Sequence, residues 1–192
     1  MSEPGGLPLA LTLGEPAGIG PELTIRIWRR RRELRLPPFY LVGDPDFVRD
    51  RARQLGSEIA LSTVTPAQAA DVFPRALPVV PLQMPVTAAT GKPDESSAPA
   101  AIASIRRAVS DVLAGQAAGI VTNPVAKNVL YRSGFAEPGH TEFLAKLVEE
   151  ATGKASRPVM MLWSPELAVV PVTIHLPLKD VVSRLTFELV VE

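Results

Sequence analysis

Short apolar, β-branched runs alternate along the chain with stretches whose apolar residues recur every three to four positions. The runs at 7–13, 39–42, 76–80, 119–122, 159–163 and 167–174 are strand-sized and bounded by proline, glycine or polar clusters. Runs of that length and composition predict buried strands. Between them the spacing predicts helices over 21–34, 46–55, 97–114 and 141–152. Proline at the start of the first helix is harmless, because a first-turn N–H has no intrahelical partner. Gly56, Gly115 and Gly153 follow the other three and suit the left-handed residue that ends a helix. In the third helix Ile102, Ile105, Val109, Val112 and Leu113 predict one buried face. Alternation of strand and helix predicts an α/β architecture around a largely parallel sheet.

Two segments depart from this rhythm. Residues 83–99 hold Pro85, Pro93, Pro99 and Gly91 among small polar residues and read as a long surface loop. At the other end, Thr186 suits a helix N-cap, and the apolar stretch from Phe187 to Glu192 begins a helix that stops within two turns. A helix so short is marginal by itself, which is the pattern of a truncated chain.

Composition sets limits on function. The 192 residues are 46% hydrophobic and 21% charged, and 20 basic side chains balance 20 acidic ones. No overall field therefore draws the chain to nucleic acid or to an anionic membrane, and an anionic ligand has to be held by local groups. The arginine-rich stretch 26–35 reads as the solvated face of the first helix, since no aromatics interleave with it. Cysteine is absent, which removes disulfides and thiolate metal sites and suits a reducing compartment. The opening residues lack the charged and apolar regions of a signal peptide, and no apolar run is long enough to span a bilayer. The expectation is a soluble, cytoplasmic protein.

Five places carry candidate chemistry. The stretch from Gly14 to Glu22, GEPAGIGPE, leaves a strand and opens a helix, where free N–H groups and the helix dipole favour an anion. Its glycine spacing fits neither the dinucleotide fingerprint nor a Walker loop, so a plain strand-to-helix turn stands beside the ligand reading. In Gly139-His140-Thr141-Glu142, Thr141 is expected at an N-cap, putting His140 and Thr141 at a helix start suited to a phosphate or carboxylate. His175 is expected at the end of an apolar strand ahead of Pro177, where ligands of open α/β sheets gather. Neutral imidazole is a common metal ligand, yet with two histidines and no cysteine the chain cannot complete a three-histidine site. Lys127 in TNPVAK suits either an anion contact or a solvent-facing position. Asp44 suits a ribose or metal partner, or a turn before Pro45.

Taken in order, GEPAGIGPE, TNPVAK, GHTEF, PVMML and IHLPLKD resemble the 4-hydroxythreonine-4-phosphate dehydrogenase family of pyridoxal phosphate synthesis, from about Leu9 to the end. Ile174 and Asn123 depart from that pattern, where relatives often carry Thr and Gly. The resemblance implies an isocitrate/isopropylmalate-dehydrogenase-like α/β/α two-domain fold, truncated here. A first α/β domain is expected over 1–125 and the start of a second, dimer-forming domain over 126–192. It implies a homodimer, NAD (or NADP) as cofactor and a divalent metal such as Zn, Mg or Co. By resemblance His140 and Thr141 contact the substrate and His175 is a metal ligand, while the other metal and phosphate ligands lie past residue 192. The implied reaction is NAD-dependent oxidation and decarboxylation of 4-phosphooxy-L-threonine to 3-amino-2-oxopropyl phosphate. Sibling enzymes acting on 4-phospho-threonate or 4-phospho-erythronate share these motifs, and a third reading is a non-catalytic fragment.

Overall fold

The computed structural model describes residues 6–134, 137, 139–174 and 176–191, which divide into two compact units, one up to Lys154 and one from Ala155. In the first unit, strands β1 (Leu9–Thr12), β2 (Phe39–Gly43), β3 (Leu61–Thr63), β4 (Leu77–Pro81) and β5 (Gly119–Val121) form one sheet in the order β3-β4-β2-β1-β5. Every pairing is parallel, as the strand–helix alternation predicts. The helices are α1 (Gly20–Arg29), α2 (Pro45–Gln54), α3 (Ala69–Val72), α4 (Ala98–Leu113), α5 (Lys127–Arg132) and α6 (His140–Thr152).

Both faces of the sheet are covered, which is why its strands read as continuous apolar runs. Leu11, Phe39, Leu41, Leu77 and Val79 pack on one side with Ile25 and Trp28 of α1 and Val48 and Ala52 of α2. Their neighbours Ala10, Tyr40, Val42 and Val80 pack on the other side with Ala69 of α3 and Ala108 of α4. The period of two is kept from strand to strand by the register, in which Leu11 stands beside Leu41 and Leu41 beside Val79.

Helix α4 keeps most of its predicted stripe and adds small residues to it. Its buried residues include Ala101, Ser104, Ile105, Ala108 and Val109, whereas Leu113 is 45% exposed. The helix serves two neighbours: Ala108 meets the sheet, while Ile105 and Val109 meet Phe143 and Leu147 of α6. Ser104 stitches the strand ends together, accepting from Leu13 N–H and donating to the Val42 carbonyl, both at 2.8 Å. Ser104→Ala strands both buried groups, and we expect a loss of about 2 kcal/mol. That corresponds to a fall of about 4 to 8 °C in the thermal midpoint, and an unchanged midpoint contradicts the bridging role. A buried network nearby joins Tyr40, Asp111 and Arg107, the phenol donating to Asp111 at 2.9 Å. Burial first, and then Asp111, push the Tyr40 phenol well above its ordinary range.

Helix α1 ends at Arg29, five residues before its predicted end, and passes through turns to Arg35, whose φ is +50°. The arginines here are spent locally: Arg30 pairs with Glu33, Arg29 donates to Ser57, and Arg31 lies over the Trp28 ring. Residues 82–97 form the predicted loop, tied down where the Val86 N–H donates to Asp44 Oδ2 at 2.9 Å.

The second unit holds β6 (Leu162–Trp163) antiparallel to β7 (Ala168–Val169), then α7 (Leu178–Arg184) and α8 (Phe187–Val191). The predicted strands at 159–163 and 167–174 shrink to two residues each, and Trp163 is 71% and Leu167 64% exposed. A two-stranded ribbon buries little, so the apolar run does not extend its pairing. Thr186 caps α8 as predicted, accepting from Leu189 N–H.

Candidate active site

Strand β1 is the sheet's switch point. From it the chain proceeds to β2 and β4 on one side, and later returns to β5 on the other. Ligands of open α/β sheets gather outside the carboxyl ends of the strands at such a point. Here the turn after β1 and the turn after β5 fill the crevice against each other. Gly14 has φ +69°, and a Cβ there would lie 2.6 Å from the Pro124 carbonyl oxygen and 2.7 Å from Asn123 Cβ. Glu15 N–H donates to that same carbonyl at 2.8 Å. The Asn123 side-chain amide donates to the Thr12 carbonyl at 2.8 Å and to Thr24 Oγ1 at 2.9 Å, and the Thr24 hydroxyl passes the chain on to the Gly20 carbonyl at 2.9 Å. Asn123, one of the two departures from the family pattern, is thus the lock between β1, α1 and β5.

The GEPAGIGPE turn is built for structure. Its Glu15 is 5% exposed and its carboxylate accepts from Ala17 N–H at 3.0 Å, while Gly18 N–H donates to the Glu15 carbonyl at 2.9 Å. The Glu15 carboxylate and carbonyl thus take the N–H groups of Ala17 and Gly18, which supports the strand-to-helix turn reading. Arg51 of α2 supports the turn from below, and the sequence gives no sign of it: the guanidinium is buried and donates to the Pro16 carbonyl at 2.9 Å. The loop from α2's side closes over the same turn through Gly91 N–H to the Ala17 carbonyl, 2.8 Å. Asp44 is likewise structural: it caps α2 by accepting from Asp46 N–H and Phe47 N–H, and its second oxygen holds Val86.

The open chemistry lies further along, where α5 and α6 meet α4. Helix α6 starts at His140 with Gly139 as its N-cap, so Thr141 is not the cap; it sits in the first turn, exposed. Gly139 is extended and its carbonyl starts the helix by accepting from Phe143 N–H at 3.1 Å. Lys127 at the start of α5 and His140 line one cavity whose other walls include Ile105, Val125, Leu130 and Phe143. His140 Nε2 is buried and has no hydrogen-bond partner among the described residues. Burial, then the charge of Lys127, hold the imidazole below its ordinary pKa, so the ring is neutral at pH 7.

His175 lies outside the described residues, and the chain leading to it is not strand, since β7 ends at Val169. Among the described residues no three His, Cys, Asp or Glu side chains come together as a metal site. None of their helices is long and apolar enough to cross a membrane.

The model of the family described as Pyridoxal phosphate biosynthetic protein PdxA matches residues 35–192. A 4-hydroxythreonine-4-phosphate dehydrogenase of Bradyrhizobium diazoefficiens is 57% identical over 199 residues, covering 100% of this chain and 57% of that relative. One from Xanthobacter autotrophicus is 52% identical over 185 residues, covering 96% of this chain and 53% of that relative. Among solved structures, a 4-hydroxythreonine-4-phosphate dehydrogenase from Burkholderia phymatum shares the fold at a TM-score of 0.82 and 24% identity, covering 97% of this chain and 55% of that one. A putative one from Salmonella typhimurium matches at 0.74 and 26% identity, over 95% of this chain and 56% of that one. The architecture is therefore the isocitrate/isopropylmalate-dehydrogenase-like α/β fold, and the chain spans about half the length of the curated relatives it matches.

Proposed function

The chain belongs to the PdxA family of pyridoxal phosphate biosynthetic proteins, and on that premise we propose that it carries part of a 4-hydroxythreonine-4-phosphate dehydrogenase. The reaction is oxidation of 4-phosphooxy-L-threonine by NAD with loss of carbon dioxide, giving 3-amino-2-oxopropyl phosphate. The observation that carries this reading is the 57% identity to a dehydrogenase of that name along the whole of this chain.

In this reading His140 and Thr141 contact the substrate. The buried, unpartnered Nε2 of His140 supports the assignment, because such an atom gains most from a polar ligand group. The ring is neutral, so it serves as a hydrogen-bonding group that orients substrate without adding charge. The apolar walls from Ile105, Val125 and Phe143 exclude water from that contact. His175 is assigned as one ligand of a divalent ion such as Zn, Mg or Co, which would acidify the substrate hydroxyl. The described residues do not complete a site for that ion, so its other ligands come from outside them. Segment 126–192 begins the dimer-forming domain of a cytoplasmic homodimer in the same reading. Its helices α5 and α6 lie in the first compact unit of this chain.

The test is NADH formation by the full-length protein with 4-phosphooxy-L-threonine and, separately, 4-phospho-threonate. Turnover of the amino acid is the expected result. Turnover of the sugar acid alone transfers the protein to the sibling activity, and none with either overturns the dehydrogenase reading.

A further inference from the structure

We propose that Lys127 is the anion-receiving cation of the pocket that holds His140. This deepens the reading above, since it rests on the pocket taking a substrate that bears phosphate and carboxylate.

Three observations converge. Lys127 and His140 line one cavity with Ile105, Val125, Leu130, Tyr131 and Phe143, and the lysine is close enough for its charge to act on the imidazole. His140 Nε2 is buried with no protein partner among the described residues, so one hydrogen-bonding atom is left unsatisfied there. The neighbouring charges are committed elsewhere. From α4, Arg106 pairs with Glu150 and lies over the Phe143 ring. From α5, Arg132 pairs with Glu95, and ahead of α6, Glu137 pairs with Lys146. On α6 itself, the Glu142 carboxylate folds back against Gly139. No carboxylate among the described residues pairs with Lys127, which is exposed and left as the cation available to an incoming oxyanion.

The electrostatics follow from this placement. An ammonium beside a half-buried imidazole disfavours a second positive charge, and burial works in the same direction. An oxyanion seated on Lys127 cancels that repulsion, so ligand binding raises the pKa of His140. The two residues act together: the lysine supplies charge, and the imidazole supplies a directed hydrogen bond.

The chain contains only two histidines, so their ring resonances can be followed by proton NMR as pH is varied, with His140→Gln assigning them. Lys127→Met is expected to raise the His140 titration midpoint by about half a pH unit or more, and Lys127→Arg to leave it where it is. Inorganic phosphate is expected to raise the midpoint in the unaltered chain and to leave it unmoved in Lys127→Met; acetate is the arm that reports a carboxylate in place of a phosphate. Lys127 is exposed, so a thermal melt of Lys127→Met should match the parent and show that the fold survives. A His140 midpoint indifferent to Lys127→Met overturns the proposal, as does a phosphate response of equal size without the lysine. An inactive full-length enzyme would instead count against the dehydrogenase reading and leave this titration intact.

Discussion

Gly14→Ala is expected to lower the thermal midpoint of the chain by about 6 to 12 °C, the equivalent of about 3 kcal/mol for a protein of this size. Two separate costs add at this position. The backbone has φ +69°, where an L side chain pays about 1 kcal/mol or somewhat more. The new methyl would also sit 2.6 Å from the Pro124 carbonyl oxygen and 2.7 Å from Asn123 Cβ, and neither neighbour is a flexible tip. Pro124 O is held by Glu15 N–H, and the Asn123 side chain is held by Thr12 and Thr24. Forcing them apart is overpacking of a core, worth about 1 to 3 kcal/mol more. Gly115 supplies the control, because it has nearly the same φ, +68°, with nothing within 4 Å of a built Cβ. Gly115→Ala should therefore show the left-handed cost alone, about 1 kcal/mol. Equal losses at the two glycines would mean that the packing of the β1 and β5 turns contributes nothing to stability.

That comparison also marks where the sequence was legible. The strands at the centre of the sheet were visible because both of their faces are buried, so Phe39-Tyr40-Leu41-Val42 carries no polar interruption. Strand β3 was not, because Leu61-Ser62-Thr63 is a short edge, half-buried at best. The face of α4 was legible in part, with Ile105 and Val109 buried as read and Leu113 exposed, for a related reason. Its approach to the sheet uses Ser104 and Ala108, small residues that permit close packing but weigh little in any hydropathy pattern. At the site, the motif at Gly14 is visible, yet whether its N–H groups are free depends on Glu15's own carboxylate and on a carbonyl about a hundred residues away. His140 and Lys127 each stood out separately. What brings them into one cavity is the meeting of α5 and α6 on α4, a tertiary fact with no local signature. The run at 167–174 shows the converse: an apolar run predicts a strand only where a second layer exists to bury it.

Arg51→Ala is the second large effect expected, about 3 kcal/mol, and it tests what a charge is for when it is buried beside a turn. Among the charged residues Asp46, Arg49, Asp50, Arg51 and Arg53 of this helix, Arg51 alone is buried, at 2% exposed. Its Nη2 holds the Pro16 carbonyl at 2.9 Å, its Nη1 stands 3.9 Å from Glu22, and its guanidinium lies 5.3 Å from the centre of the Phe47 ring. Removal leaves a cavity beneath the turn and strands the Pro16 carbonyl, each worth about 1 to 3 kcal/mol. Glu22 loses its partner at smaller cost, because a quarter of its side chain reaches water. Those magnitudes rank the variants: Arg51→Ala costs most, Arg51→Met less because the methionine refills the volume, and Glu22→Gln less than about 1 kcal/mol. Chemical denaturation of the three variants gives the ranking directly. If Glu22→Gln proves as damaging as Arg51→Ala, the ion pair carries the stabilisation and the carbonyl contact does not. If the ranking stands, Arg51 is the prop that fixes Pro16, and through it the turn on which Gly14, Glu15 and Pro124 close the end of the sheet.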